Sequence, residues 1–318
     1  MKKIMLSLLL SGLLFLTACG GGAAAGPAPA AEDEPLRILA TTYPVYLFTT
    51  AVTDGVEGVE VTRLIKEEIS CLHDYTLTVN DMKAIEAADV IVMNGVGLED
   101  FMEDALASSD APVIDCSEGV ELLAALGHEG HDHDTEYDPH IWMDPERAGR
   151  MIENIGAGLS QADPDRAETY AAQAAEAAFQ LQHWYSVKLD VIASDQPDLQ
   201  LPHRALITFH DGFQYFADAF QLDLLKAIEE EEGAEASAAE IKEIVELIGE
   251  HDLPVIFTEK NGSDATAQAI ARETGVAVAQ LDMVMSGDGT GLEAYSAAMD
   301  ENIKTIINAL SEGRIRAE

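Results

Sequence analysis

Short apolar runs alternate with helical segments along most of this chain, and that grammar admits few folds. Leu36-Arg37-Ile38-Leu39-Ala40-Thr41, Val59–Ile65, Val90–Gly95 and Pro112–Asp115 read as strands in the first half. Between them lie a helical pattern that runs through Val52 and a second over Asn80–Ala88, for which Asn80 is the expected N-cap. The second half repeats the alternation, with strands at Ala205–Phe209, Pro254–Thr258 and Val276–Leu281. Its helices are Asp211–Phe220, Ala238–Gly249, Ala265–Glu273 and Glu293–Leu310. Strands that alternate with helices indicate crossover connections and a parallel sheet in each half. From Asp144 onward the pattern is helical, and Asp163-Pro164 restarts it with a capping Asp and a Pro at the first helical position. Tyr170, Ala174, Ala177, Leu181, Trp184 and Leu189 then recur on a helical period, with no Gly or Pro until Pro197. A helix from Pro164 to about Ala193 spans roughly 45 Å at 1.5 Å per residue. The expectation is an α/β fold of two βα lobes with parallel sheets. The lobes occupy residues 35–162 and 196–318, and a long rigid linker helix at 163–195 joins them.

At 318 residues the chain is long enough for two cores. Its formal net charge of −40 argues against nucleic acid, whose phosphates need basic partners, and against a basic membrane-binding patch. Such a surface suits cationic ligands as well as solubility. Residues 1–18 read as an export signal: Lys2 and Lys3, an apolar core from Ile4 to Leu16, then Leu16-Thr17-Ala18-Cys19. Leu-x-Ala-Cys looks like a bacterial lipobox, which implies cleavage before Cys19 and lipid on its sulfur. The protein is then exported and held at the outer face of the cytoplasmic membrane, or in the periplasm, without a spanning helix. Residues 19–34 are a low-complexity tether. Cys71 and Cys116 either pair in an oxidising compartment or remain small buried hydrophobes.

The chemistry is carried by histidines. The stretch His128 to Pro145 contains His128, His131 and His133 among Glu and Asp, in a loop at 127–134, and then His140 beside the apolar Ile141-Trp142-Met143. In open parallel sheets ligands collect at the carboxyl ends of strands. His73 lies after the second strand, His140 after the first lobe's last strand, His210 at the end of Ala205–His210 and Asp282 after Leu281. Each lobe thus offers two metal-capable side chains at one sheet edge. Three imidazoles and one carboxylate suit Zn²⁺ in tetrahedral geometry, whereas Mn²⁺ calls for more oxygen ligands. A secreted zinc hydrolase would need three protein ligands, an open water position and a general base. No His-Glu-x-x-His helix is present, and a fourth protein ligand closes the site.

Several segments resemble the metal-binding lipoproteins of bacterial zinc and manganese ABC importers, the ZnuA-like receptors of cluster A-I. They are His73-Asp74-Tyr75-Thr76, the turn that ends at Leu98-Glu99, Asp138-Pro139-His140-Ile141-Trp142-Met143-Asp144-Pro145, Thr208-Phe209-His210-Asp211-Gly212-Phe213, Phe257-Thr258-Glu259 and Leu281-Asp282. The resemblance covers nearly the whole mature chain. It implies two lobes, a rigid linking helix, a metal in the inter-lobe cleft and no catalysed reaction. The ligands it implies are His73, His140, His210 and Asp282, and His at the third position resembles the zinc branch. The implied function is a monomeric receptor that captures Zn²⁺, with Mn²⁺ or a broader divalent range as the alternative. It hands the metal to the permease and ATPase of an importer, and an added adhesive role is compatible with it. Met283-Val284-Met285-Ser286-Gly287 replaces the family's Pro-containing turn after Asp282, which makes Glu259 the alternative fourth ligand. The acidic loop with His128, His131 and His133 is read as a weaker capture site, because it must be ordered on binding. Metal binding needs neutral imidazoles, so affinity is expected to fall below about pH 6.5.

Overall fold

The computed structural model describes residues 34–67, 72, 75–126, 136–194, 196, 200–227 and 236–311. The first half is ordered as β1 (Leu36–Ala40), α1 (Tyr43–Val52), β2 (Val59–Arg63), α2 (Val79–Ala87), β3 (Val90–Met93), α3 (Glu103–Ala107) and β4 (Val113–Asp115). Two long helices follow, α4 (Pro145–Ala162) and α5 (Ala167–Ile192). The second half runs β5 (Ala205–Thr208), α6 (Gln214–Ala219), β6 (Asp223–Ala227), α7 (Ala238–His251), β7 (Val255–Glu259), α8 (Ala265–Thr274), β8 (Ala277–Leu281) and α9 (Gly291–Leu310).

Each half builds a four-stranded parallel sheet, in the orders β2-β1-β3-β4 and β6-β5-β7-β8. The expected α/β architecture with a long linking helix is therefore present. The two orders are the same, so each sheet reverses its direction of growth between its first and third strands, β1/β3 and β5/β7. Side chains at the carboxyl ends of those strands face the crevice where such folds bind ligands. Strands β3 and β7 are almost wholly buried, and β1 is buried over Ile38–Ala40, as strands covered on both faces must be.

Three details differ from the sequence reading. The edge strand β6 was not anticipated: Asp223-Leu224-Leu225-Lys226-Ala227 is mostly half-buried and joins β5 across a register shift at Leu206/Ile207, so it lacks an alternating signature. Helix α2 starts one residue before Asn80. Thr78 caps it, its hydroxyl accepting from the Asp81 amide while the Asp81 carboxylate accepts from the Thr78 amide, and this reciprocal box fixes the start. Asp163 does not cap with its side chain; its Oδ2 instead accepts from Arg166 and from the Tyr170 hydroxyl, and a 3-10 turn at Pro164–Arg166 precedes α5.

One hydrophobic core runs without a break from Ile38 and Val92 of the first sheet and Phe48 of α1 through Trp142 and Tyr170 to Phe216 of α6 and to Phe257 and Leu281 of the second sheet. A smaller cluster around Ile207, Ile244, Ile256 and Ile270 fills the space beneath α7 and α8. The last helix, α9, returns across the molecule to pack on α1 of the first half as well as on α5 and β8. Residues Pro35–Glu318 accordingly form one compact unit. No described helix is long and apolar enough to cross a membrane.

Candidate metal site

His140 sits on the connection between β4 and α4, and three local interactions hold it. The Asp138 carboxylate accepts from the His140 amide at 2.8 Å and lies 2.7 Å from the imidazole Nδ1. A proton on Nδ1 donated to that carboxylate leaves Nε2 with its lone pair outward, the form a metal needs. The preceding carbonyl, that of Pro139, accepts from the Asn94 side-chain amide at 2.9 Å. Immediately after His140 the chain forms a 3-10 turn over Ile141–Met143, and Asp144 then caps α4 by accepting from the Glu146 amide. His140 is only 6% exposed. Burial alone disfavours its charged form, but the Asp138 carboxylate, with smaller help from Asp211 and Glu259, carries its pKa above the ordinary value.

His210 approaches from the second sheet. Strand β5 ends at Thr208, two residues earlier than expected, and the Thr208 hydroxyl donates to the His210 carbonyl at 2.8 Å, which turns the chain into a 3-10 segment at Asp211–Phe213. The His140 and His210 rings meet edge to face, with centroids 5.4 Å apart. Gly212 permits that approach: a Cβ there would lie 2.0 Å from Met283 Cε and 3.0 Å from His140 Cδ2. Ligand atoms of His140, His210 and Asp211 all lie within 4.8 Å of one another, the one such group among the described residues.

The two candidate carboxylates flank this group. Glu259 closes β7, is buried, and brings Oε2 to 3.9 Å from His210 Nδ1. Burial pushes its carboxyl up to about 8, against the pull of His140 and with a further push from Asp282. Asp282 follows β8, but it lies outside the tight group and both its oxygens are engaged. Oδ1 accepts from the Val284 amide at 2.7 Å and Oδ2 from Lys260 Nζ at 3.1 Å. Asp211 was absent from the sequence-derived set. Its signal was adjacency to His210, but the sequence reading gave Asp211 to the start of a helix, and the 3-10 turn that keeps it beside His210 is not visible in the sequence. His73, Cys71, the loop histidines His128, His131 and His133, and the lipidation residue Cys19 lie outside the described residues. Cys116 is a buried free thiol whose pKa burial drives upward.

A second polar network supports the first-lobe side. Glu99 is buried, and its Oε1 accepts from the Thr41 hydroxyl at 2.6 Å and the Asn94 amide at 2.7 Å, its Oε2 from the Gly95 amide at 3.1 Å. It thereby ties the end of β1 to the end of β3 at the switch point, and through Asn94 to the Pro139-His140 link.

A model of the family described as zinc-uptake complex component A, periplasmic, matches residues 38–309. Over 323 residues the chain is 29% identical to the zinc-binding lipoprotein AdcA of Streptococcus pneumoniae, an alignment covering 96% of this chain and 60% of that protein. The chain thus spans about three fifths of the length of AdcA. It is 28% identical over 248 residues to the manganese-binding lipoprotein MntA of Halalkalibacterium halodurans, covering 76% of this chain and 78% of that one. Among solved structures, ZnuA superposes with a TM-score of 0.73 at 26% identity, over 87% of this chain and 100% of the other. The laminin-binding adhesin Lmb of Streptococcus agalactiae gives 0.72 at 26% identity, over 86% and 98%.

Proposed function

The chain belongs to the periplasmic component A family of zinc-uptake complexes, and from that premise we propose that it is an extracytoplasmic receptor which captures Zn²⁺ and delivers it to an ABC importer without catalysing a reaction. The observation that carries this reading is the buried pair His140 and His210, contributed by the two halves and set with rings 5.4 Å apart. Two imidazoles, one already tied through Nδ1 to a carboxylate, form the kind of borderline nitrogen donor set that Zn²⁺ prefers. His73 completes a three-nitrogen set, and a carboxylate from Asp282, Glu259 or Asp211 supplies the fourth position. Lipid on Cys19 anchors the receptor as a monomer at the outer face of the cytoplasmic membrane, and its partners are the importer's permease and ATPase. His128, His131 and His133 form a weaker capture site on the way to the cleft.

A manganese receptor is the second reading, favoured by the carboxylates of Asp211 and Glu259 beside the histidines and by similarity to MntA. Competitive titration of purified protein with Zn²⁺ and Mn²⁺ separates the two. The decisive test is a zinc isotherm for the wild type beside His73→Ala, His140→Ala and His210→Ala. Zinc held by several protein ligands is worth roughly 10–16 kcal/mol in total, so loss of any one ligand is expected to weaken binding by far more than roughly ten-fold. Wild-type affinity in all three variants would overturn the assignment. Deletion of residues 127–134 is expected to remove only weak binding.

A further inference from the structure

Lys260 stands in an unusual position for a site built to attract a cation. Strands β7 and β8 run in parallel register, pairing Val255 with Ala277 through to Glu259 with Leu281. The next step of that register brings together Lys260 and Asp282, and the Lys260 amide continues the ladder by donating to the Leu281 carbonyl at 2.9 Å. The Lys260 ammonium folds onto Asp282 Oδ2 at 3.1 Å. The sheet register therefore sets the two residues side by side, and from there the lysine side chain reaches the carboxylate. Asp282 cannot easily turn away. Its amide donates to the Asn302 side-chain oxygen and its carbonyl accepts from the Asn302 side-chain nitrogen, both at 2.7 Å, and Asn302 is buried on α9. With Oδ1 held by the Val284 amide, Oδ2 is the oxygen left for a metal, and Lys260 occupies it. Lys260 itself is largely exposed, so it is the partner able to leave.

We propose that Lys260 is a specificity-determining residue of this site: a tethered cation that screens the Asp282 carboxylate and biases metal capture toward Zn²⁺ over Mn²⁺. The proposal rests on the metal-receptor reading above and deepens it. A metal that draws most of its binding energy from imidazole nitrogens loses little when one oxygen ligand is screened. A harder ion that needs several oxygens loses more, and it also meets the ammonium's charge.

The test is paired titration of the purified full chain with Zn²⁺ and with Mn²⁺, in the wild type, Lys260→Met, Lys260→Arg, Asp282→Asn and the Lys260→Met/Asp282→Asn double variant. Lys260→Met is expected to raise Mn²⁺ affinity by about five-fold, the worth of a partly solvated charge pair, and Zn²⁺ affinity by less. The preference for zinc then narrows. Lys260→Arg keeps the wild-type ratio, and the effect of Lys260→Met vanishes when Asp282 is already Asn. Added salt shrinks the wild-type difference, as it does for exposed charges and not for a packing role. An unchanged ratio in Lys260→Met, or an undiminished effect in the double variant, overturns the proposal. If His140→Ala and His210→Ala bind both metals like the wild type, it is the underlying site assignment that fails.

Discussion

The Asp138 carboxylate performs two tasks for His140, fixing the ring through Nδ1 at 2.7 Å and raising the electron density that Nε2 offers. Supporting carboxylates of this kind typically carry about ten- to hundred-fold in metal affinity. Asp138→Asn keeps an oxygen acceptor but removes the charge, and is expected to weaken zinc binding by about ten-fold with the fold intact, measured by competition against a chromophoric chelator. Unchanged affinity would mean that the ring is oriented by its neighbours alone. Gly212→Val is expected to weaken zinc binding as well in the same assay, because a Cβ there displaces the Met283 methyl and comes within 3.0 Å of His140 Cδ2. His140 could be read from the motif Asp138-Pro139-His140-Ile141-Trp142, but the sequence reading gave Asp138 no role, although its hold on His140 spans only two residues. Asp211 and Lys260 could not. Their significance depends on where β5 stops and on which residue of β8 faces β7, and neither is a local property of sequence. The conspicuous histidines of the acidic loop were the easiest to notice and carry the least of the argument.

Strands that cross the interior announce themselves as apolar runs, which is why β1, β3 and β7 were legible while the half-buried edge strand β6 was not. Less visible still was the way the ends of β1 and β3 are joined, since Thr41 and Glu99 are 58 residues apart. That junction has a titration of its own. Burial raises the Glu99 carboxyl from 4.5 to about 7, although hydrogen bonds from Thr41, Asn94 and Gly95 oppose the shift. The folded protein therefore binds this proton more tightly than the unfolded chain. The resulting stabilisation is complete below pH 4.5 and is lost as pH rises through about 7. A shift of that size corresponds to roughly 3 kcal/mol across the window. Glu99→Gln, neutral at every pH, is expected to gain melting temperature relative to the wild type as pH rises from 4.5 to 7. Thermal melts of both proteins at several pH values check this, and a constant gap would show that Glu99 does not titrate there.

At the scale of the whole molecule, the junction between the halves is built like an interior. Trp142, fully buried, donates from its indole to the Met283 carbonyl at 2.8 Å, and the Tyr295 hydroxyl donates to the Trp142 carbonyl at 2.7 Å. Tyr215 reaches from α6 to the Asp138 carbonyl at 2.9 Å, so the second half also holds the segment that carries His140. Two long helices, α5 and α9, bridge the same junction, and the core passes through it unbroken. Lobes joined by a flexible linker would unfold separately, whereas halves that share a core have no independent native state. A single calorimetric transition is therefore expected, with its enthalpy equal to the van't Hoff value and coincident with the change in fluorescence of Trp142 and Trp184. Tyr295→Phe leaves a buried carbonyl without its donor and is expected to cost roughly 1–3 kcal/mol while keeping the transition single. Two resolved peaks, or a Tyr295→Phe melt that splits, would show that the halves are separately stable. A single transition instead means that the two halves fold and unfold as one cooperative unit, held by the core they share.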